Sequence, residues 1–382
     1  MTEHDQLETL RIDPISVFEG DLNGIPCRET SDPERLCRHP VVSVHMITYN
    51  HGPYIRAAIE GVLMQQADFE YELVIGEDCS TDDTREICFE YQMRFPERIR
   101  VLWSERNLRW VGGNVLRTAL RCRGEYVAFC EGDDYWTDPR KLQKQVDALR
   151  RNPSVGVCFC GARILEDETG DVQPWDAEHR LPVGFIPGRQ LFAWHSIGID
   201  PGRPGPETFL MTATVMLRRE PYFRALKDFD IFRWGLHISD TTQWLGVLAS
   251  SDGYYLPDEV SVYRRTSSGA VRATGNNGTW FDAFLVRIYF AQRLSQADVL
   301  DWMRTKAFDN FRELVLSRLF QLPVMRACLQ FSRIQRLPAP LCIFSGRRLL
   351  PKRIICRMTG FRRWGYDLYN ELKSLLHREE GA

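Results

Sequence analysis

The chain has no stretch of about eighteen apolar residues free of charge, so no transmembrane helix is expected. Its opening segment, Met1 to His39, is polar and acidic and lacks both the basic start and the apolar run of a signal peptide, which predicts a cytoplasmic polypeptide. An excess of charge of one sign is also missing. The formal net charge of −2 argues against a surface built for nucleic acid. The 11 cysteines are odd in number and dispersed, and Cys88, Cys122, Cys130 and Cys158 fall inside expected strands or helices, as buried reduced thiols do. Cys158 and Cys160 share a strand face, but no second Cys or His pair stands nearby in sequence to complete a zinc site, so no structural zinc is expected. No internal repeat or low-complexity tract is found. The segment Thr48-Tyr49-Asn50-His51-Gly52 is not the glycine-rich phosphate loop that a nucleotidyltransferase or dehydrogenase would carry after its first strand.

What the first half has is alternation. Val41 to Ile47 reads as a strand, followed by a loop and a Pro-initiated helix from Pro53 to about Gln66. Tyr71 to Gly76 is a second strand ending in Glu77-Asp78, and Cys79-Ser80-Thr81-Asp82 can cap a helix running to about Phe95. Ile99 to Trp103, Gly113 to Arg123, Glu125 to Cys130 and Pro139 to Arg151 continue as strand, helix, strand and a strongly charged helix. Strands alternating with helices imply right-handed crossovers and a mainly parallel central sheet flanked by helices, an α/β fold. Ligands of such sheets bind outside the carboxyl ends of the strands. Thr48-Tyr49-Asn50, Glu77-Asp78 and Glu131-Gly132-Asp133-Asp134 all fall at such ends.

The last of these is the most informative. Clustered carboxylates at the end of a buried strand repel one another and cost desolvation, so a fold tolerates them mainly where a cation or cationic ligand neutralises them. A solvated turn in which Asp133 or Asp134 caps the following helix is the competing reading.

Ile47-Thr48-Tyr49-Asn50-His51, Glu77-Asp78-Cys79-Ser80-Thr81-Asp82 and Glu131-Gly132-Asp133-Asp134-Tyr135-Trp136-Thr137-Asp138-Pro139 together resemble the family 2 glycosyltransferases of GT-A fold, closest to the bacterial branch that builds surface polysaccharides. The resemblance is strong over residues 40–165 and weaker over 205–272. It implies a leader (1–39), a GT-A domain (40–275, with 40–165 holding the donor and 166–275 the acceptor) and a helical, basic C-terminal region (276–382). It further implies transfer of a sugar, with inversion, from a UDP-, GDP- or dTDP-sugar to a hydroxyl of a glycan or lipid-linked glycan.

By the same resemblance Asp78 accepts hydrogen bonds from the base or ribose and the backbone of Ile47, Thr48, Tyr49 and Asn50 lines the base pocket. Asp133 lies by the sugar and ribose, and Asp134 closer to the metal. Both offer hard oxygen ligands to Mg²⁺ or Mn²⁺. Many relatives carry Asp-x-Asp where this chain has Glu131-Gly132-Asp133, and Glu131 is not assigned as a ligand. Tyr135 and Trp136 either stack on a sugar or anchor the loop as core aromatics.

The second half should supply the acceptor site and the base. Phe209 to Leu217 reads as a strand, and Gly253 to Leu256 with Ser261 to Tyr263 continue the sheet region. His237-Ile238-Ser239-Asp240-Thr241 resembles the family segment whose Asp deprotonates the acceptor, which makes Asp240 the candidate base; a helix cap is its alternative. The segment Leu256 to Gly269 resembles the loop that closes over the diphosphate. Relatives usually show His where this chain has Thr266, so Arg264 and Arg265 either take over part of the neutralisation or are surface charge. A catalytically inactive nucleotide-sugar-binding protein is the runner-up reading. Finally, Arg333 to Arg363 holds nine basic and no acidic residues interleaved with apolar ones. That mixture suits a peripheral contact with an anionic membrane, or a basic helical subdomain packed on the core.

Overall fold

The structure is a computed structural model that describes residues 25–108, 111–175, 181–195, 210–229 and 239–266, with three further helical positions at 286, 289 and 290. The basic segment 333–363 lies outside the described residues, as do His237 and Ile238.

A mixed sheet dominates. Its strands in chain order are β1 (Arg28–Thr30), β2 (Val42–Thr48), β3 (Tyr71–Glu77), β4 (Ile99–Trp103), β5 (Tyr126–Phe129), β6 (Tyr135–Trp136), β7 (Val155–Glu166), β8 (Val172–Pro174), β9 (Gly184–Ile186), β10 (Met216–Arg218) and β11 (Asp252–Arg265). The helices are α1 (Ile55–Leu63), α2 (Thr84–Arg94), α3 (Val111–Arg121), α4 (Lys141–Arg151), α5 (Gly188–His195), α6 (Arg219–Asp228) and α7 (Ser239–Leu248). The spatial order is β1-β4-β3-β2-β5-β10-β7-β11-β6, with β8 on β7 and β9 on β11. The expected parallel pairing holds for β4, β3, β2 and β5 and again for β7 with β11, whereas β1, β10 and β6 pair antiparallel.

The central strands are rich in buried apolar residues because both faces are covered, and the polar Ser43, His45 and Glu72 within them are each hydrogen-bonded. Val42, Val44 and Met46 of β2 pack with Ile55, Ile59 and Val62 of α1, Ile87 of α2 and Leu142 and Val146 of α4. On the opposite face the Phe129 ring meets His45 at 5.1 Å, Tyr222 at 5.8 Å and Trp244 at 4.9 Å between centroids.

Two features depart from the sequence reading. The sheet begins before residue 40, since Arg28–Thr30 adds an edge strand to β4 and its buried Glu29 is bonded by Arg100 at 2.7 and 3.0 Å. The apolar run ending at Leu217 is not one strand either. Thr212–Thr214 forms a 3₁₀ turn, in which both the amide and the hydroxyl of Thr214 donate to the Met211 carbonyl, and only Met216–Arg218 is strand.

The order of the first strands fixes where a ligand can bind. From β2 the chain runs outward through β3 and β4, then returns to place β5 on the other side of β2. The crevice outside the carboxyl ends of β2 and β5 is therefore the switch point of the sheet, the place where ligands bind in open α/β folds.

Candidate active site

Three loops meet at this switch point. The loop after β2 is tied to the loop after β3: the Asn50 amide donates to Ser80 Oγ at 3.0 Å, Asn50 Oδ1 accepts from the Thr81 amide at 2.8 Å, and the Gly52 amide donates to Asp82 Oδ2 at 2.9 Å. Asn50 needs this support because its φ of 54° is left-handed, a conformation its short amide side chain tolerates better than most. Asp82 Oδ1 accepts from the Thr84 amide at 3.1 Å in a local turn that leads into α2, whose N-cap is Asp83 and not a residue of the expected Cys79–Asp82 segment.

The loop after β5 closes onto the same place, since the Cys130 and Gly132 amides donate to the carbonyls of His45 and Ile47 at 3.1 and 3.0 Å. A glycine is required at 132. A Cβ there would lie 2.6 Å from Thr48 Oγ1 and 2.9 Å from His51 Nδ1, atoms that cannot give way without moving the β2 loop.

Asp78 follows β3 and is buried. Its Oδ1 accepts from the Leu108 amide at 2.9 Å and its carbonyl accepts from Asn107 Nδ2 at 2.8 Å. Burial raises its pKa despite that bond and the nearby Arg117. Tyr49 is 44% exposed at the rim, in contrast to Thr48, which is buried with its hydroxyl unpartnered.

The acidic turn carries the strongest electrostatic signal. Asp134 is 1% exposed; its Oδ1 accepts from the Arg264 amide at 2.9 Å, and its Oδ2 is buried with no hydrogen-bond partner. Burial, followed by the charges of Asp133 and Glu131, pushes its carboxyl well above the usual carboxylate range. Glu131 is pushed up to about 8 by burial, then by Asp133 and Asp240. Asp240, in the first turn of α7, is raised by burial against bonds from the Thr241 amide, at 2.6 Å, and from Thr212. The Tyr263 phenol is likewise raised by burial and by all four of these carboxylates. The structure thus brings Glu131, Asp133, Asp134 and Asp240 to one cleft, with Tyr263 facing them. His51 joins them through Nε2, 3.8 Å from Asp133 Oδ2.

Residues assigned from sequence differ in how they fit this cleft. Trp136 is a correction: it is 2% exposed, donates from Nε1 to the Ala213 carbonyl at 2.9 Å and lies 4.1 Å from Lys141 Nζ, so its faces are taken by the core. Tyr135, one residue earlier on the strand, stays partly exposed near Arg264. The two arginines point apart because neighbours on a strand alternate. Arg264 reaches Asp167 at 2.8 Å, whereas Arg265 reaches Glu166 at 2.8 Å beside the Trp175 ring. Thr266 is buried. Sequence reasoning left Glu131, His51 and Tyr263 without roles. The first two could have been found from their place in the converging loops, but no motif marks Tyr263.

Does this cleft suit a divalent cation? The buried, unpartnered Asp134 Oδ2 is a hard donor that fits Mg²⁺ or Mn²⁺. Among the described residues no group of three His, Cys, Asp or Glu side chains is arranged to hold a metal unaided.

Parts of the chain are similar to known proteins. The family described as Glycosyl transferase family 2 matches residues 43–222. An uncharacterized protein of Mycobacterium tuberculosis is 34% identical over 232 residues, 60% of this chain and 60% of that protein. The chain thus spans less than two thirds of this relative's length. The putative teichuronic acid biosynthesis glycosyltransferase TuaG of Bacillus subtilis is 36% identical over 131 residues, 34% of this chain and 49% of TuaG. Among solved structures, residues 1–349 of S. aureus TarS in complex with UDP-GlcNAc superpose with a TM-score of 0.55 at 18% identity, covering 78% of this chain and 82% of that one. The likeness to TarS establishes a GT-A fold, and residues 43–222 match the glycosyl transferase family 2 model.

Proposed function

We propose that the protein is an inverting glycosyltransferase that moves a sugar from a nucleoside diphosphate to an acceptor hydroxyl, with Asp240 as base. The observation that carries this reading is the convergence of four carboxylates on the switch-point cleft, one of them with a buried oxygen that nothing bonds. Asp78 and the Ile47–Asn50 backbone would receive the nucleoside. Asp133 and Asp134 would hold a divalent cation, which when bound stabilises the negative charge of the leaving diphosphate.

Asp240 supports its own role in two ways. It lies near enough to the acidic turn to raise Glu131. Its raised pKa also brings it nearer to neutrality, where a general base works best. Attack on the face opposite the leaving group would require Asp240 and the diphosphate to lie on opposite sides of the bound sugar. The transition state would have oxocarbenium character, as in other glycosyl chemistry.

TarS has been solved with UDP-GlcNAc and with UDP, which favours a nucleotide-sugar donor here. The name of TuaG favours a surface glycan as the acceptor. Among the described residues no helix is long and apolar enough to cross a membrane. The test is a panel of nucleotide sugars with purified protein, read first by thermal shift and then by turnover with Mn²⁺ or Mg²⁺ and with chelator. Stabilisation by a donor, with hydrolysis or transfer abolished by chelator, is expected. Binding without turnover under any metal would favour an inactive donor-binding protein, and full turnover in chelator would remove the cation.

A further inference from the structure

Arg264, which the sequence marked as a partner for the diphosphate, is held by the protein itself. Its guanidinium carbon lies 4.7 Å from the Tyr54 ring centroid and 5.6 Å from that of Tyr135. Nη1 donates to Asp167 Oδ1 at 2.8 Å, Nε donates to the Asp133 carbonyl at 3.1 Å, and the backbone amide donates to Asp134 Oδ1 at 2.9 Å. The Tyr54 hydroxyl donates to the other Asp167 oxygen at 2.9 Å and closes the ring of contacts. Four segments meet here: the start of α1, the acidic turn, the residue after β7 and the end of β11.

A turn that carries three carboxylates tends to open under its own repulsion. A planar guanidinium stacked by two rings and anchored by a carboxylate resists that motion, because its donors leave in fixed directions. Two of the five guanidinium donors are thus committed to the Asp167 carboxylate and the Asp133 carbonyl, which fixes the head group before any ligand arrives. We propose that Arg264 is a positioning residue, fixing the Asp133-Asp134 turn so that Asp134 Oδ1 is occupied by β11 and Oδ2 faces a divalent cation. The proposal rests on the glycosyltransferase reading for its cation, but not for its geometry.

The test compares Asp167→Asn, Tyr54→Phe and Arg264→Lys with the wild-type chain. Mn²⁺ affinity is read by electron paramagnetic resonance, and UDP affinity by calorimetry in chelator. Asp167 is part-exposed, so Asp167→Asn should fold and melt near wild type. A residue that orients metal ligands typically sets about 10- to 100-fold of metal affinity. Arg264→Lys and Asp167→Asn should each weaken Mn²⁺ by that order, Tyr54→Phe less, and the double variant of the first two no more than either alone. UDP affinity in chelator should not move, and kcat should fall more than KM for the donor changes. Tighter UDP binding by Asp167→Asn together with weaker binding by Arg264→Lys would make Arg264 a diphosphate ligand and overturn the proposal. Unchanged Mn²⁺ affinity in both variants, or no Mn²⁺ binding by the wild-type chain with or without UDP, would overturn it as well. A wild-type chain that binds Mn²⁺ but turns over no nucleotide sugar would refute the glycosyltransferase reading while leaving the Mn²⁺ comparison decisive.

Discussion

Asp134→Asn should move stability and function in opposite directions. Asp134 is 1% exposed, bonded at Oδ1 by the Arg264 amide and at Oδ2 by nothing. Asparagine keeps the accepting oxygen and puts an amide where the unpartnered oxygen was, facing a turn whose other carboxylates can accept from it. A buried polar group left unsatisfied costs about 1–3 kcal/mol, more when charged. Removing the charge should therefore stabilise the metal-free protein by about that amount, which for a domain of this size corresponds to roughly 2–4 °C of melting temperature per kcal/mol. Function should suffer, because a neutral amide is a poor ligand for a hard cation. The assay is calorimetric melting in chelator at neutral pH, with Mn²⁺ titration and donor turnover on the same preparation. A variant that melts lower than wild type and still binds Mn²⁺ equally well would show that Asp134 is a scaffold residue and refute the reasoning.

Asp240→Asn should lower turnover by about 10² to 10⁴ with donor affinity and melting temperature near wild type; since Asn caps a helix as well as Asp does, retained turnover would leave Asp240 as a cap. Trp136→Ala should cost about 3–5 kcal/mol as a core truncation, whereas Trp136→Phe should destabilise less and leave donor KM unchanged; a raised KM in a stably folded Phe variant would restore a sugar contact. His45 is buried, bonded to the Val115 carbonyl at 3.0 Å, and desolvation lowers its pKa from 6.5 to about 4. Between those values the unfolded chain binds a proton that the folded one does not, so stability should fall as pH drops from 6.5 towards 4, by roughly 3 kcal/mol in all. Urea midpoints across that range should show a flatter profile for His45→Gln, and an equally steep one would assign the loss to other groups.

The first half of the chain was legible because its strands are buried on both faces and so read as mainly apolar runs, several ending in polar loop residues that the topology then gathers. β1 was not. Arg28-Glu29-Thr30 has no apolar period, and what makes Glu29 tolerable inside the fold is Arg100, far along the chain on β4. The Met211–Thr214 turn was misread for a different reason, since apolar and β-branched residues favour strand until the Thr214 hydroxyl finds a local carbonyl. For the arginines, strand alternation alone separates 264 from 265, but their partners Asp167 and Glu166 come from the end of β7, a pairing that only the β7–β11 ladder creates.

Two clusters of buried acids in this chain show why one is read as a site and the other as structure. Glu72 lies wholly inside the sheet, yet Arg123 reaches it at 2.6 Å and Arg100 at 3.3 Å, and Ser43 donates to it at 2.6 Å. Burial raises its pKa, but the two arginines and the serine outweigh that and hold the carboxyl below its ordinary value. Its charge is compensated within the fold, and breaking such a pair destabilises by exposing one partner uncompensated. The acidic turn has the opposite balance. Asp133 has an imidazole at 3.8 Å, and Asp134 has the Arg264 backbone amide and the charge of a guanidinium bonded to Asp167, which burial and the neighbouring carboxylates outweigh. With burial and mutual repulsion dominant, the Glu131 and Asp134 carboxyls rise, and the folded chain bears a cost that no contact among the described residues repays. A cation bridging the turn to a diphosphate would repay it, so ligand affinity here draws on repulsion already present in the folded protein. The two clusters therefore respond to the same substitution with opposite signs: Glu72→Gln should lower the melting temperature in chelator, and Asp134→Asn should raise it.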